Sequence, residues 1–149
     1  MVRYLIHMTQ AAPNLKIKLQ LFCGDEIALG PGKADLLEAI DREGSISAAG
    51  RALGMSYRRT WLLVDAMNRC WDYPLVETAT GGKQGGGASM TELGRSILRH
   101  YRGLQADLDR ASDGAPLSAM LSALRDLPKP STDRNLPNHG DGAARDDAH

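Results

Sequence analysis

The sequence predicts a mainly α-helical domain with a small β component, and three observations predict it. Apolar residues recur at helical spacing in several separate stretches. Two of those stretches are short and meet at Gly54. A glycine-dense tip at 81–87 lies between two short strand-like runs. One Phe, two Trp and four Tyr are too few for an aromatic-rich β-sandwich.

The elements follow in order. Residues 1–14 carry no period and read as a flexible arm. Residues 15–21 alternate apolar and polar, which is the pattern of a half-buried strand. Cys23-Gly24-Asp25 marks a turn, and Ile27-Ala28-Leu29 can return as a second strand. Residues 33–42 read as a helix with Leu36, Leu37 and Ile40 on one face and Gly44 as its stop. Ser45 caps the next helix, which buries Ile46, Ala49 and Leu53. Ser56 caps a third, with Thr60, Val64, Met67 and Trp71 at helical spacing. Residues 75–80 and 88–90 are strand-like around the glycine tip. Thr91 then caps a long helix striped with Leu93, Ile97, Leu98, Tyr101, Leu104 and Leu108. A short amphipathic helix is expected within 111–127, and residues 128–149, rich in Pro, Asn, Asp and Gly, are expected to be a disordered tail.

Composition excludes several classes. With 149 residues, 42% hydrophobic and 24% charged, the chain fits one globular domain with a tail. No apolar run approaches the roughly 18–20 residues of a membrane helix, and the start lacks a secretory apolar core. A cytoplasmic protein with no membrane partner is expected. Cys23 and Cys70 stand outside any CxxC and the four His are scattered, whereas a structural zinc site needs about four ligands. The cysteines are expected to be reduced, largely buried thiols, with no metal or cofactor. No paired carboxylates or His/Cys dyad suggests an enzyme.

The stretch 45–68 is the most informative. In a helix-turn-helix the second helix crosses the first closely, so the crossing position, here Gly50, must be small. Gly54 supplies the positive φ of the turn, and Leu53 and Met55 are its apolar pins. Ser56, Tyr57, Arg58, Arg59 and Thr60 then open the second helix, whose first turns reach base edges and phosphates in DNA readers. An ordinary helical bundle also uses such pairs, and Trp61, Leu62 and Leu63 suit core or subunit contact better than DNA. The hairpin that follows gives the order of a winged helix-turn-helix. At its tip, 81–87, glycine admits close backbone approach and Lys83 supplies charge. A phosphate-binding P-loop fits poorly, because Gln84 stands where Ser or Thr is required. The predicted fold is thus a winged helix-turn-helix over 15–110, with N-terminal strands, a two-stranded glycine-rich wing and a long C-terminal helix.

The segments SISAAGRALGMSYRRTWLLVDAMN and PLVETATGGKQGGGASMTELG resemble the N-terminal DNA-binding domain of molybdate-dependent, ModE-type regulators, and more distantly LysR-type helix-turn-helix domains. The resemblance implies a winged-helix homodimer on a palindromic operator, with Ser56, Tyr57, Arg58, Arg59 and Thr60 at the major groove and Thr80, Gly82, Lys83 and Gln84 as the wing tip. Members of that family carry C-terminal Mop or TOBE domains. Residues 111–149 have no strand pattern and are too few for such a barrel, so a stand-alone regulator without an oxyanion sensor is expected.

The chain carries 18 basic and 18 acidic residues, which at first argues against DNA. The balance is uneven along the chain. Residues 51–102 hold eight Lys/Arg against four Asp/Glu, a difference of +4, whereas 111–149 hold four against six, a difference of −2. Two functions remain open. One is a DNA-binding transcriptional regulator dimerising through Leu93, Ile97, Leu98, Tyr101, Leu104 and Leu108. The other is a winged-helix interaction module that partners a separate molybdate- or oxyanion-binding subunit or effector-sensing protein.

Overall fold

The structure, a computed structural model, describes residues 14–80 and 86–132. In chain order the elements are β1 (Leu21–Cys23), β2 (Glu26–Leu29), α1 (Pro31–Glu43), α2 (Ile46–Ala52), α3 (Tyr57–Arg69), β3 (Val76–Ala79), β4 (Gly87–Met90), α4 (Glu92–Ser112) and α5 (Ala115–Ala123). Both strand pairs are antiparallel two-stranded hairpins, β1 with β2 and β3 with β4. This is a mainly α, winged-helix-like fold.

Each helix boundary has a local cause. Pro31 occupies the first position of α1, where a missing N–H costs nothing. Gly44 ends α1 at φ 70°, and its carbonyl accepts from Ala88 N at 2.8 Å, which fastens β4 to the end of that helix. Ser45, Ser56 and Thr91 cap α2, α3 and α4, their hydroxyls accepting from the N–H of Ala48, Arg59 and Gly94. Gly54, at φ 68°, turns the chain between α2 and α3.

The core forms where α1, α2, α3, β4 and α4 meet. Leu29, Leu36, Leu37, Ile40, Met67 and Leu75 are fully buried, and each such side chain contributes about 1.5–3 kcal/mol of burial. Two arginines clamp α4 onto α1. Arg102 pairs with Asp35 and Glu38, both at 2.7 Å, and Arg95 with Asp41 at 3.3 Å. α4 also begins hard against Leu75, the residue before β3: Thr91 N donates to Leu75 O at 2.9 Å, and a side chain at Gly94 would strike the Leu75 backbone.

Several elements differ from expectation. The alternation at 15–20 does not form a ladder, and pairing begins only at Leu21. Its two faces are used differently: Leu19 packs on the core and its carbonyl accepts from the Tyr101 hydroxyl at 2.9 Å, while Lys16 and Lys18 are exposed. Leu53, expected to be an apolar pin, is exposed, whereas Met55 packs against the core. Cys23 is exposed rather than buried. Residues 115–132 belong to a second unit, from Ala115 onward. Its helix stops at Ala123, short of Leu127, in keeping with Pro128 disfavouring helix just before it. Within that helix no residue is buried. The expected arm at 1–14, apart from Asn14, and the tail beyond residue 132 lie outside the described residues.

Candidate nucleic-acid interface

α2 and α3 cross at Gly50 and Thr60. Gly50 is buried, and a Cβ there would collide with the Thr60 hydroxyl and come within 3.0 Å of its Cβ. Thr60 is itself fully buried and donates its hydroxyl to Ser56 O at 2.8 Å. Thr60 is therefore a packing residue. Its expected place at the DNA surface is corrected by its burial.

The other residues of that group are exposed: Ser56, Tyr57, Arg58 and Arg59. Ser56 has a defined task, since its hydroxyl accepts from Arg59 N at 3.2 Å and satisfies a free N–H of the first turn. Tyr57 and Trp61, one turn apart, meet edge to face with ring centroids 6.0 Å apart. Trp61 and Leu62 are exposed and Leu63 is half-buried against the core, so the apolar part of α3 is split between surface and interior. Arg58 shares the open face of α3 with Tyr57, Trp61 and Leu62 by helical spacing. Arg59 and Leu63 instead line a groove of about 590 Å³ with Lys18, Gln20 and Lys33.

The charges divide into employed and unemployed groups. Arg69 pairs with Asp65 at 2.9 Å on α3 itself, and Arg95 and Arg102 are held by α1 carboxylates. Burial alone would lower the Arg102 guanidinium, but its hydrogen bonds to Glu38 and Asp35 prevail and hold it above its ordinary value. Among the described residues of 51–102, Arg51, Arg58, Arg59 and Arg99 carry exposed guanidinium groups outside every ion pair. The basic excess of residues 51–102 is therefore partly spent on structure, and two of its free members sit at the start of α3.

The second hairpin is tied to α3 by a residue that spacing did not reveal. Asn68 Oδ1 accepts from Leu75 N at 2.9 Å and Val76 N at 3.1 Å, and its Nδ2 donates to Val76 O at 3.0 Å. One side chain thereby fixes where β3 leaves the helix. The available signal was an amide in the last turn of a helix that precedes a strand, which is too common to single out. Between α2, Trp61 and the hairpin runs a groove of about 180 Å³, bordered by Ser45, Ser47 and Thr80. Thr80 is exposed. Gly82, Lys83 and Gln84 lie outside the described residues.

The stripe of α4 is divided. Leu98 and Tyr101 are buried in the core of this chain, and Leu93 and Ile97 pack against it. Leu104 is exposed and Leu108 half-buried. Burial pushes the Tyr101 phenol above its ordinary value, opposed by Arg102. Among the described residues no helix is long and apolar enough to cross a membrane.

A capped helix crossing a shorter one at a glycine, with a β-hairpin fastened to its far end, defines a protein of the winged-helix-like class. Similar proteins carry the names ModE and Mop. The chain is 43% identical to the molybdenum transport protein ModE of Azotobacter vinelandii over 86 residues, 58% of this chain and 32% of that protein. It is 40% identical to the molybdenum-pterin-binding protein MopA of Rhodobacter capsulatus over 83 residues, 56% of this chain and 31% of that protein. It is 33% identical to the DNA-binding transcriptional dual regulator ModE of Escherichia coli K12 over 132 residues, 85% of this chain and 49% of that protein. The chain thus spans about one third to one half of the length of these relatives. No protein-family profile matches it.

Proposed function

We propose that this chain is a sequence-specific, DNA-binding transcriptional regulator that places α3 in the major groove and the β3–β4 hairpin on the adjoining backbone. The observation that carries this reading is the start of α3: an exposed, capped turn bearing two guanidinium groups outside every ion pair, beside the exposed aromatic pair Tyr57 and Trp61. Guanidinium groups are the commonest partners of guanine edges and of phosphates. The name of the Escherichia coli relative, a DNA-binding transcriptional regulator, supports the same class.

Residue roles belong to the same proposal. Arg58, on the open face with Tyr57, is assigned to base edges. Arg59, at the flank, is assigned to a phosphate. Thr80, Gly82, Lys83 and Gln84 are assigned to the wing contact. Two copies are proposed to assemble through the α4 stripe, with exposed Leu104 and half-buried Leu108 as the contact and Leu98 and Tyr101 supporting it from within. A symmetric dimer reads a palindromic operator.

The test is selection of bound duplexes from a random pool, with and without molybdate. An enriched inverted repeat supports the proposal, and retention of all sequences alike defeats it. The exposure of Trp61 and Leu62 favours a second reading, an interaction module for a separate molybdate-binding protein. That reading gains if Leu62→Ser abolishes capture of such a partner and leaves DNA retention unchanged.

A further inference from the structure

Thr60, Val64 and Met67 mark the buried face of α3. Arg58, Leu62, Asp65 and Arg69 recur at helical spacing on the opposite face, and all of them are exposed. Leu62 is the apolar member of that row and is 57% exposed. Its sequence neighbours are turned elsewhere. Trp61 borders the groove beside the second hairpin, and Leu63 packs against the core. The acid of the row is engaged, since Asp65 accepts from Arg69 at 2.9 Å. Residues 57–64 hold two arginines and no acid, and neither arginine belongs to an ion pair. The first turns of the open face thus offer cationic donors beside one isobutyl group.

We propose that Leu62 determines sequence specificity: it packs on the 5-methyl group of a thymine in the major groove, beside the base pair that Arg58 reads. This rests on the reading of α3 as the helix that enters DNA. The major-groove edge of a base pair presents donors, acceptors and a single kind of apolar group, the thymine methyl. A leucine gains contact only with that group. Against any other base edge it displaces water from a donor or acceptor and returns no hydrogen bond, which is unfavourable. Leu62 therefore selects for thymine and against the other bases at its position. It lies one turn beyond Arg58, roughly 6 Å along the helix axis. The thymine accordingly falls within about two base pairs of the guanine, at 3.4 Å per pair. The two unpaired guanidinium groups and the absence of an acid before Asp65 favour a polyanion over a protein on this face.

The experiment rebuilds the duplex enriched from the random pool with each thymine in turn replaced by deoxyuridine. That removes the methyl group and keeps every base-pairing atom. The full wild-type chain is expected to lose about fourfold in affinity at one thymine of each half-site, the value of burying one methyl-sized group. Leu62→Ser is expected to lose a similar factor on the parent duplex and nothing more from deoxyuridine at that thymine. The deoxyuridine arm needs no variant, so it decides the matter even if Leu62→Ser melts early. The proposal is overturned if no single deoxyuridine weakens the wild-type chain, or if Leu62→Ser stays as sensitive to it as wild type. It is also overturned if Leu62→Ser binds every duplex as wild type does and loses a protein partner instead. In all of these cases α3 can still read DNA. A pool that yields no preferred duplex defeats the reading of α3 itself, and this proposal with it.

Discussion

Gly50 on α2 and Thr60 on α3 occupy one contact, in which the absent side chain of the glycine is the space the threonine fills. The crossing brings α3 close enough to α2 that its first turn, residues 57–59, projects away from the core while Thr60 anchors it.

Gly50→Ala is expected to destabilise the domain by about 1–3 kcal/mol through overpacking. Thr60→Ala in the same chain removes the nearest colliding atoms and should recover part of that loss. Chemical denaturation of the two single variants and the double variant measures the coupling. Additive losses would show that the two residues do not share a contact.

Asn68→Ala removes three hydrogen bonds and strands the N–H groups of buried Leu75 and Val76. A loss of about 1–3 kcal/mol is expected, together with faster amide exchange at Leu75 and Val76. Asn68→Asp keeps both accepting bonds and should lose less. Equal effects of the two substitutions would remove the accepting oxygen from this account.

Tyr101 links α4 to Leu19 through its hydroxyl. Its folded phenol keeps its proton to higher pH than an unfolded tyrosine, whose ordinary value is 10.0. Its contribution is therefore complete below that pH and fades as pH climbs above it through the raised folded value. Tyr101→Phe should cost about 1 kcal/mol at neutral pH and flatten the alkaline fall in stability. Denaturation midpoints across that range check both, and an unchanged alkaline slope would contradict the assignment.

Glycines and caps were the most legible parts of this sequence. Gly44, Gly54, Ser45, Ser56 and Thr91 each do locally what their residue type requires, and local rules suffice to find them. Gly50 was legible for the same reason. Thr60 was misplaced because helix position 4 can face either DNA or the partner helix, and only the crossing angle decides. The strand over 15–21 was overextended because alternation reports which side is buried, not whether a neighbouring strand exists to pair with. Leu53 and Cys23 were expected inside, yet both lie at turns where the chain bends away from the core. The ion pairs of Arg95 and Arg102 join residues more than fifty positions apart, beyond any local signal. They change the meaning of the charge count, because two of the cations counted in the excess of 51–102 hold α4 on α1.

Titration of the selected duplex with wild-type chain, Arg58→Ala and Arg59→Ala, across a range of salt concentrations, tests the central claim most directly. Arg58→Ala is predicted to lose about 1–3 kcal/mol on the preferred duplex and to relax discrimination at one base position. Arg59→Ala is predicted to weaken all duplexes alike and to reduce the salt slope by about 1. Affinity and slope unchanged in both variants would contradict the assignment of α3 to DNA.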